Sequence, residues 1–120
     1  MSSPTEPAGG PLGAEISREM VRVMRDYTGR GPTKARTVIS DDAVIVLLAD
    51  MMTQEERMLV ANGKIEHVLL TRSEVQNIMR RDAIDVVEGA MGRKVSAFMS
   101  ANHVGPDLAG EIFMLEPETD

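Results

Sequence analysis

The seven residues Ala43–Ala49 are all apolar, and no other feature constrains the fold of this chain as tightly. The run has the length of a β-strand and falls far short of the ~20 apolar residues a membrane-spanning helix needs. Successive residues of a strand face opposite sides of a sheet. A strand that is apolar at both parities therefore has to be shielded on both faces, by helices on one side and by a partner chain or another element on the other. Residues 34–39 precede it with β-branched Thr37, Val38 and Ile39, and Ser40, Asp41 and Asp42 make a short polar link. That pattern predicts an antiparallel hairpin.

Helices are expected on either side of the hairpin. Ile16, Met20, Val23, Met24 and Tyr27 fall on one stripe of a helix over residues 14–27, which Gly29, Gly31 and Pro32 bring to an end. Thr53-Gln54-Glu55-Glu56 is a capping box, opening a short helix that stops near Asn62 and Gly63. A long helix over Ile65–Met91 follows, with Gly92 placed for a left-handed cap. Its predicted apolar stripe runs through Ile65, Leu69, Val75, Met79, Ala83, Val86 and Ala90, leaving Arg72, Arg80, Arg81, Asp82, Asp85 and Glu88 on a solvated face. Two further strands are expected over residues 94–100, where Val95, Ala97 and Met99 alternate with Ser96 and Phe98, and over residues 110–116. The turn formers Asn102, Gly105, Pro106 and Asp107 lie between them. The predicted class is α+β, in the order α-β-β-α(α)-β-β, with one four-stranded, mainly antiparallel sheet and helices packed on one face. Residues 1–13, with three prolines and three glycines, are expected to form a flexible tail before a single domain over residues 14–117.

Composition excludes several functions. A net charge of −6 and only three aromatic residues, Tyr27, Phe98 and Phe113, argue against a nucleic-acid reader, which needs a basic face and stacking platforms. No cysteine is present, so disulfides and thiolate metal sites are excluded. The opening residues have neither the basic region nor the apolar core of a signal peptide, so a cytoplasmic location without membrane insertion is expected. The ten methionines supply flexible packing suited to irregular cores and adaptable interfaces.

Candidate chemistry is sparse. His67 and His103 have no companions at metal-ligand spacing, so neither a metal nor a cofactor is expected. No serine sits in a nucleophile-elbow context, and the carboxylates of Asp41, Asp42, Glu55 and Glu56 are explained by a turn and a helix start. His103 with Asp107 is the weakest of the enzyme options, since both are accounted for by closing a turn. The chain is therefore expected to be no enzyme. Gly29-Arg30-Gly31-Pro32-Thr33-Lys34-Ala35-Arg36 concentrates three cations in a glycine-containing loop. Arg30, Lys34 and Arg36 are candidates for gripping a small anion such as bicarbonate or phosphate. The plainer explanation is a helix C-terminus with cations at the negative end of its dipole. The leading expectation is self-association through apolar strand residues, with Val44, Val46, Leu48, Phe113 and Met114 as interface candidates.

Glu15-Ile16 through the run from Tyr27 to Arg36, followed by the apolar strand, resembles the opening of the MpsC-like family. Residues 92–98, Asn102-His103, Pro106-Asp107 and the stretch from Glu111 to Glu116 are similar to its closing half. The likeness spans about residues 14–117, and the run from Gly29 to Arg36 is its most specific part. One departure is Ala49-Asp50-Met51-Met52, where the family pattern implies a smaller, more glycine-rich turn. The resemblance implies a soluble accessory component of a sodium-translocating, membrane-potential-generating system, beside membrane subunits linked to cation and inorganic-carbon uptake. It implies no catalytic residue.

Overall fold

The computed structural model describes residues 10–118. Its elements are α1 (Gly10–Thr28), β1 (Lys34–Ser40), β2 (Ala43–Ala49), α2 (Gln54–Ala61), α3 (Ile65–Met91), β3 (Val95–His103) and β4 (Leu108–Leu115). The four strands form one sheet in the order β1-β2-β4-β3, antiparallel throughout. Two hairpins thus meet along their second strands, which puts β2 and β4 in the middle and β1 and β3 at the edges. The expected α+β architecture is observed. The expected tail lies mostly outside the described residues; its last four, 10–13, belong to α1, where Gly13 is buried.

Local signals act where they were placed. Thr53 Oγ1 accepts the Glu56 amide at 3.1 Å and Glu56 Oε1 accepts the Thr53 amide at 2.9 Å, completing the capping box. Gly92 closes α3 in the left-handed conformation, with φ 65°. Glycine is free to adopt that conformation because it lacks a Cβ.

One face of the sheet carries the core. Ile16, Met20 and Met24 of α1 and Met79, Ala83 and Val87 of α3 pack on Val44, Val46, Leu48 and Phe113. Register keeps these strand residues together: Val44 pairs with Phe113 and Val46 with Glu111, so they share one side. The Tyr27 hydroxyl, expected on the buried stripe, lies at the surface and donates to Asp82 at 2.6 Å, tying α1 to α3.

Three further expectations need correction. The buried line of α3 is Val68, Arg72, Gln76, Met79, Ala83 and Val87, so the helix is rotated from the expected stripe, and Ile65 is exposed. Arg72, assigned to solvent, is buried because two carboxylates reach it. Finally, β3 has a bulge between Val95 and Ala97. The extra residue switches parity, so Val95 pairs with Leu115 and Phe98 with Phe113 on the same core face.

Candidate functional site

The second face of the sheet is built from the residues between those of the core. Register aligns Val38 with Ile45, Ile45 with Ile112, and Ile112 with Met99 across all four strands. Beside that row lie Leu47, Met114 and Leu108, with Ala43, Ala49, Ala97, Ala101 and Gly110 filling in between. Leu47 is 43% exposed, Met99 49% and Leu108 43%. No helix or strand among the described residues packs on this face. Its polar positions are at the edges: Lys34, Arg36 and Ser40 on β1 and His103 on β3.

Four of the five interface candidates do not lie here. Val44, Val46, Leu48 and Phe113 are fully buried beneath α1 and α3 and offer no surface to a partner. Met114 alone is on the open face, pairing with Ala43. The cause is parity: both sets of residues in β2 and β4 are apolar, and only the helices distinguish them.

The cationic loop separates into two parts. Arg30 turns toward the end of β2, where its Nη2 donates to the Asp50 carbonyl at 3.1 Å and lies 3.3 Å from Asp50 Oδ1. Thr33 Oγ1 donates to Asp50 Oδ2 at 2.6 Å. That hydroxyl, with Arg30, Arg57 and Lys34 nearby, holds the Asp50 carboxyl below the usual carboxylate range. Asp50 therefore stands where an anion would have to bind. Its φ of 56° explains the departure noted at residues 49–52: the strand exit needs the left-handed conformation, and an aspartate clamped by its neighbours adopts it in place of glycine. Lys34 and Arg36 lie along the edge of the open face instead.

His103 and Asp107 serve different contacts. His103 Nδ1 is 2.9 Å from the Pro106 carbonyl, within its own turn. Asp107 Oδ2 accepts the Met51 and Met52 amides at 2.9 and 2.7 Å, while Oδ1 accepts from Arg72 Nη2 at 3.1 Å. With no link to His103, Asp107 is a structural clamp, and no group of metal-ligating side chains is assembled among the described residues.

Sequence reasoning passed over the buried polar residues. Arg72 is 8% exposed and joins Glu56 of α2, Asp107 of the β3–β4 turn and its own helix. Burial works against its charge, but the two carboxylates outweigh burial and raise its pKa. Glu56 thereby helps to hold α2, a helix that buries none of its own residues. A groove of about 320 Å³ opens between α1, α2 and α3, walled by Met24, Tyr27, Leu59, Val68, Arg72 and Gln76 among others. Gln76 links this groove to Glu111, which is 3% exposed on the core face of β4. Its shared parity with Phe113 and Leu115 was the available signal, usable only once the core face is known.

No helix of the described residues is long and apolar enough to cross a membrane. No solved structure matches the chain. It is 29% identical over 90 residues to the uncharacterized protein YbcI of Bacillus subtilis (strain 168), covering 74% of this chain and 73% of that protein. The family described as the Na+-translocating membrane potential-generating system (MpsC) matches residues 9–117, nearly the whole length with both hairpins and all three helices, and the chain belongs to that family.

Proposed function

We propose that this domain is a non-enzymatic accessory protein that works by binding protein surfaces, first of all a second copy of itself, in the cytoplasm beside the membrane components of the family's system. The observation that supports this most directly is the apolar, uncovered sheet face. Four strands spaced at about 4.8 Å, with seven residues at about 3.4 Å each, give a face of roughly 450 Å² in projection. Its apolar centre is comparable with the largest patch of a typical soluble domain, about 300–600 Å², which is often functional. Two such faces in contact remove on the order of 1,000 Å² from water, the lower end for a specific dimer. The face carries no carboxylate, and its cations sit on one edge. A two-fold axis along the strands lays each β1 over the partner's β3 and keeps the two sets of cations apart. Less supports an anion sensor, since Asp50 already engages Arg30.

Sedimentation across the micromolar range tests the dimer. The expected outcome is a concentration-dependent shift from one copy to two, abolished by Leu47→Lys with the far-UV circular dichroism unchanged. Wild-type protein that stays monomeric over the whole range overturns self-association.

A further inference from the structure

Glu111 sits on the helix-covered face of β4, between Ala109 and Phe113 along that face. Its Oε1 accepts from Gln76 Nε2 at 3.0 Å, and its Oε2 makes no hydrogen bond among the described residues. Each neighbouring element presents uncharged groups to it. From α1 come Met20 and Met24, from α3 Gln76 and Met79, from β3 Phe98 and Ser100, and from β2 Val46. The basic residues of α3 on either side are engaged elsewhere. Arg72 is held by Glu56 and Asp107 through Nε and Nη2, its Nη1 making no hydrogen bond among the described residues, and Arg80 lies over the Phe98 ring, 5.6 Å from its centroid. The void beside the carboxyl is about 10 Å³, room for one water at most and not for a hydrated ion or an ammonium group.

A carboxylate buried without a counter-charge gives up its charge by taking a proton. Burial pushes the Glu111 pKa up to about 7, while the Gln76 hydrogen bond pulls weakly the other way. Gln76 has a second set of partners. Its Oε1 accepts from Asn102 Nδ2 at 2.8 Å and from Ser100 Oγ at 3.3 Å, and both Gln76 and Asn102 line the groove between the helices.

We infer that Glu111 is a proton-binding site whose occupancy is passed through Gln76 and Asn102 to the groove between α1, α2 and α3. The transmission follows from donor and acceptor counts. The Gln76 amino group donates to Glu111 Oε1, the arrangement that suits the ionised form. Protonated Glu111 has an O–H to donate, and the acceptor within reach is Gln76 Oε1, presented by a half-turn of the amide. That turn directs the Gln76 amino group toward Ser100 and toward the position Asn102 Nδ2 now holds, so Asn102, whose Oδ1 already lies 3.4 Å from Gln76 Nε2, turns with it and the short bond between the two amides reverses direction. The groove wall then exchanges a donor for an acceptor: one proton is taken up, the O–H on Glu111 is the only covalent bond made, and the hydrogen bonds of Gln76 re-form in the opposite sense.

Carboxyl-labelled glutamate followed by carbon NMR across neutral pH tests this on the whole chain. One glutamate carboxyl is expected to titrate near pH 7 and to vanish from the spectrum's titrating set in Glu111→Gln, with the side-chain amide signals of Gln76 and Asn102 moving at the same midpoint. Gln76→Leu, which removes the hydrogen bond to the ionised form, is expected to raise the midpoint, and it keeps the test open should Glu111→Gln fail to fold. Every glutamate titrating in the ordinary carboxylate range overturns the site, and amide signals indifferent to the titration overturn the coupling. A midpoint lowered by sodium but not by potassium makes this a sodium site and overturns the assignment to the proton.

Discussion

The two faces of this sheet are made from nearly the same residues and have opposite surroundings. Phe113 and Met114 are adjacent in β4; the first is fully buried under α1 and α3, and the second is on the open side. Val46 and Leu47 repeat the contrast in β2. Apolar character therefore does not separate core from interface in this molecule. What separates them is which side the helices occupy, and the polar exceptions confirm the difference. On the covered side the polar side chains reach partners on the helices, Thr37 bonding Ser17 and Glu111 bonding Gln76 through Oε1, while Lys34 and Arg36 on the open side extend into water.

The largest expected effect comes from truncating neighbours on opposite faces. Phe113→Ala leaves a cavity in the covered core and is expected to lower stability by about 3–5 kcal/mol in denaturant unfolding. Met114→Ala, measured at a concentration where single copies prevail, is expected to cost less than about 1 kcal/mol. Equal losses would dissolve the distinction between the faces.

Next in size is the cost of the lone carboxyl on the covered face. The folded chain keeps the Glu111 proton up to about pH 7, whereas the unfolded chain releases it near 4.5. Stability is therefore expected to fall as pH rises through that window, by on the order of 3 kcal/mol, with no contribution from this group below it. Glu111→Gln is expected to flatten the decline in unfolding midpoints. A wild-type profile already flat there would mean that the carboxyl is not isolated from water or counter-charge.

The smallest effect belongs at the sheet's end, where Asp50 joins β2 to the loop. Asp50→Ala loses the contacts to Thr33 and Arg30 and keeps a Cβ in the left-handed conformation, so its Tm is expected to drop by roughly a few degrees. Asp50→Gly loses the same contacts without that strain and is expected to drop less. A glycine variant no better than alanine would show that backbone conformation contributes nothing at this exit.

Elements with local causes were legible in advance. The capping box at Thr53 and Glu56, the cap at Gly92, the stripe Ile16-Met20-Val23-Met24 and the hairpin of β1 with β2 all depend on residues within a few positions of each other. Features created by distant partners were not. Arg72 resembles any solvated arginine of a helix until Glu56 and Asp107 arrive from other segments, and the bulge at Val95 is invisible without its partner strand. Of the candidate site, the requirement for cover on both sides of β2 was readable. The side left open is not, because Val44, Val46, Leu48 and Phe113 look no different in sequence from the residues of an interface, and only the packed helices assign them to the core.

By itself the sequence determined that two hairpins and three helices form, that one strand has no polar face, and that the chain belongs among its relatives. Propensity, capping and turn chemistry act over a few residues, so a linear text suffices to specify them. Only the tertiary structure decided which face is core, which arginine is buried and which carboxyl is stranded without a charge partner. Those outcomes depend on groups far apart in the chain being brought together out of water, and their energies do not exist until the layers pack.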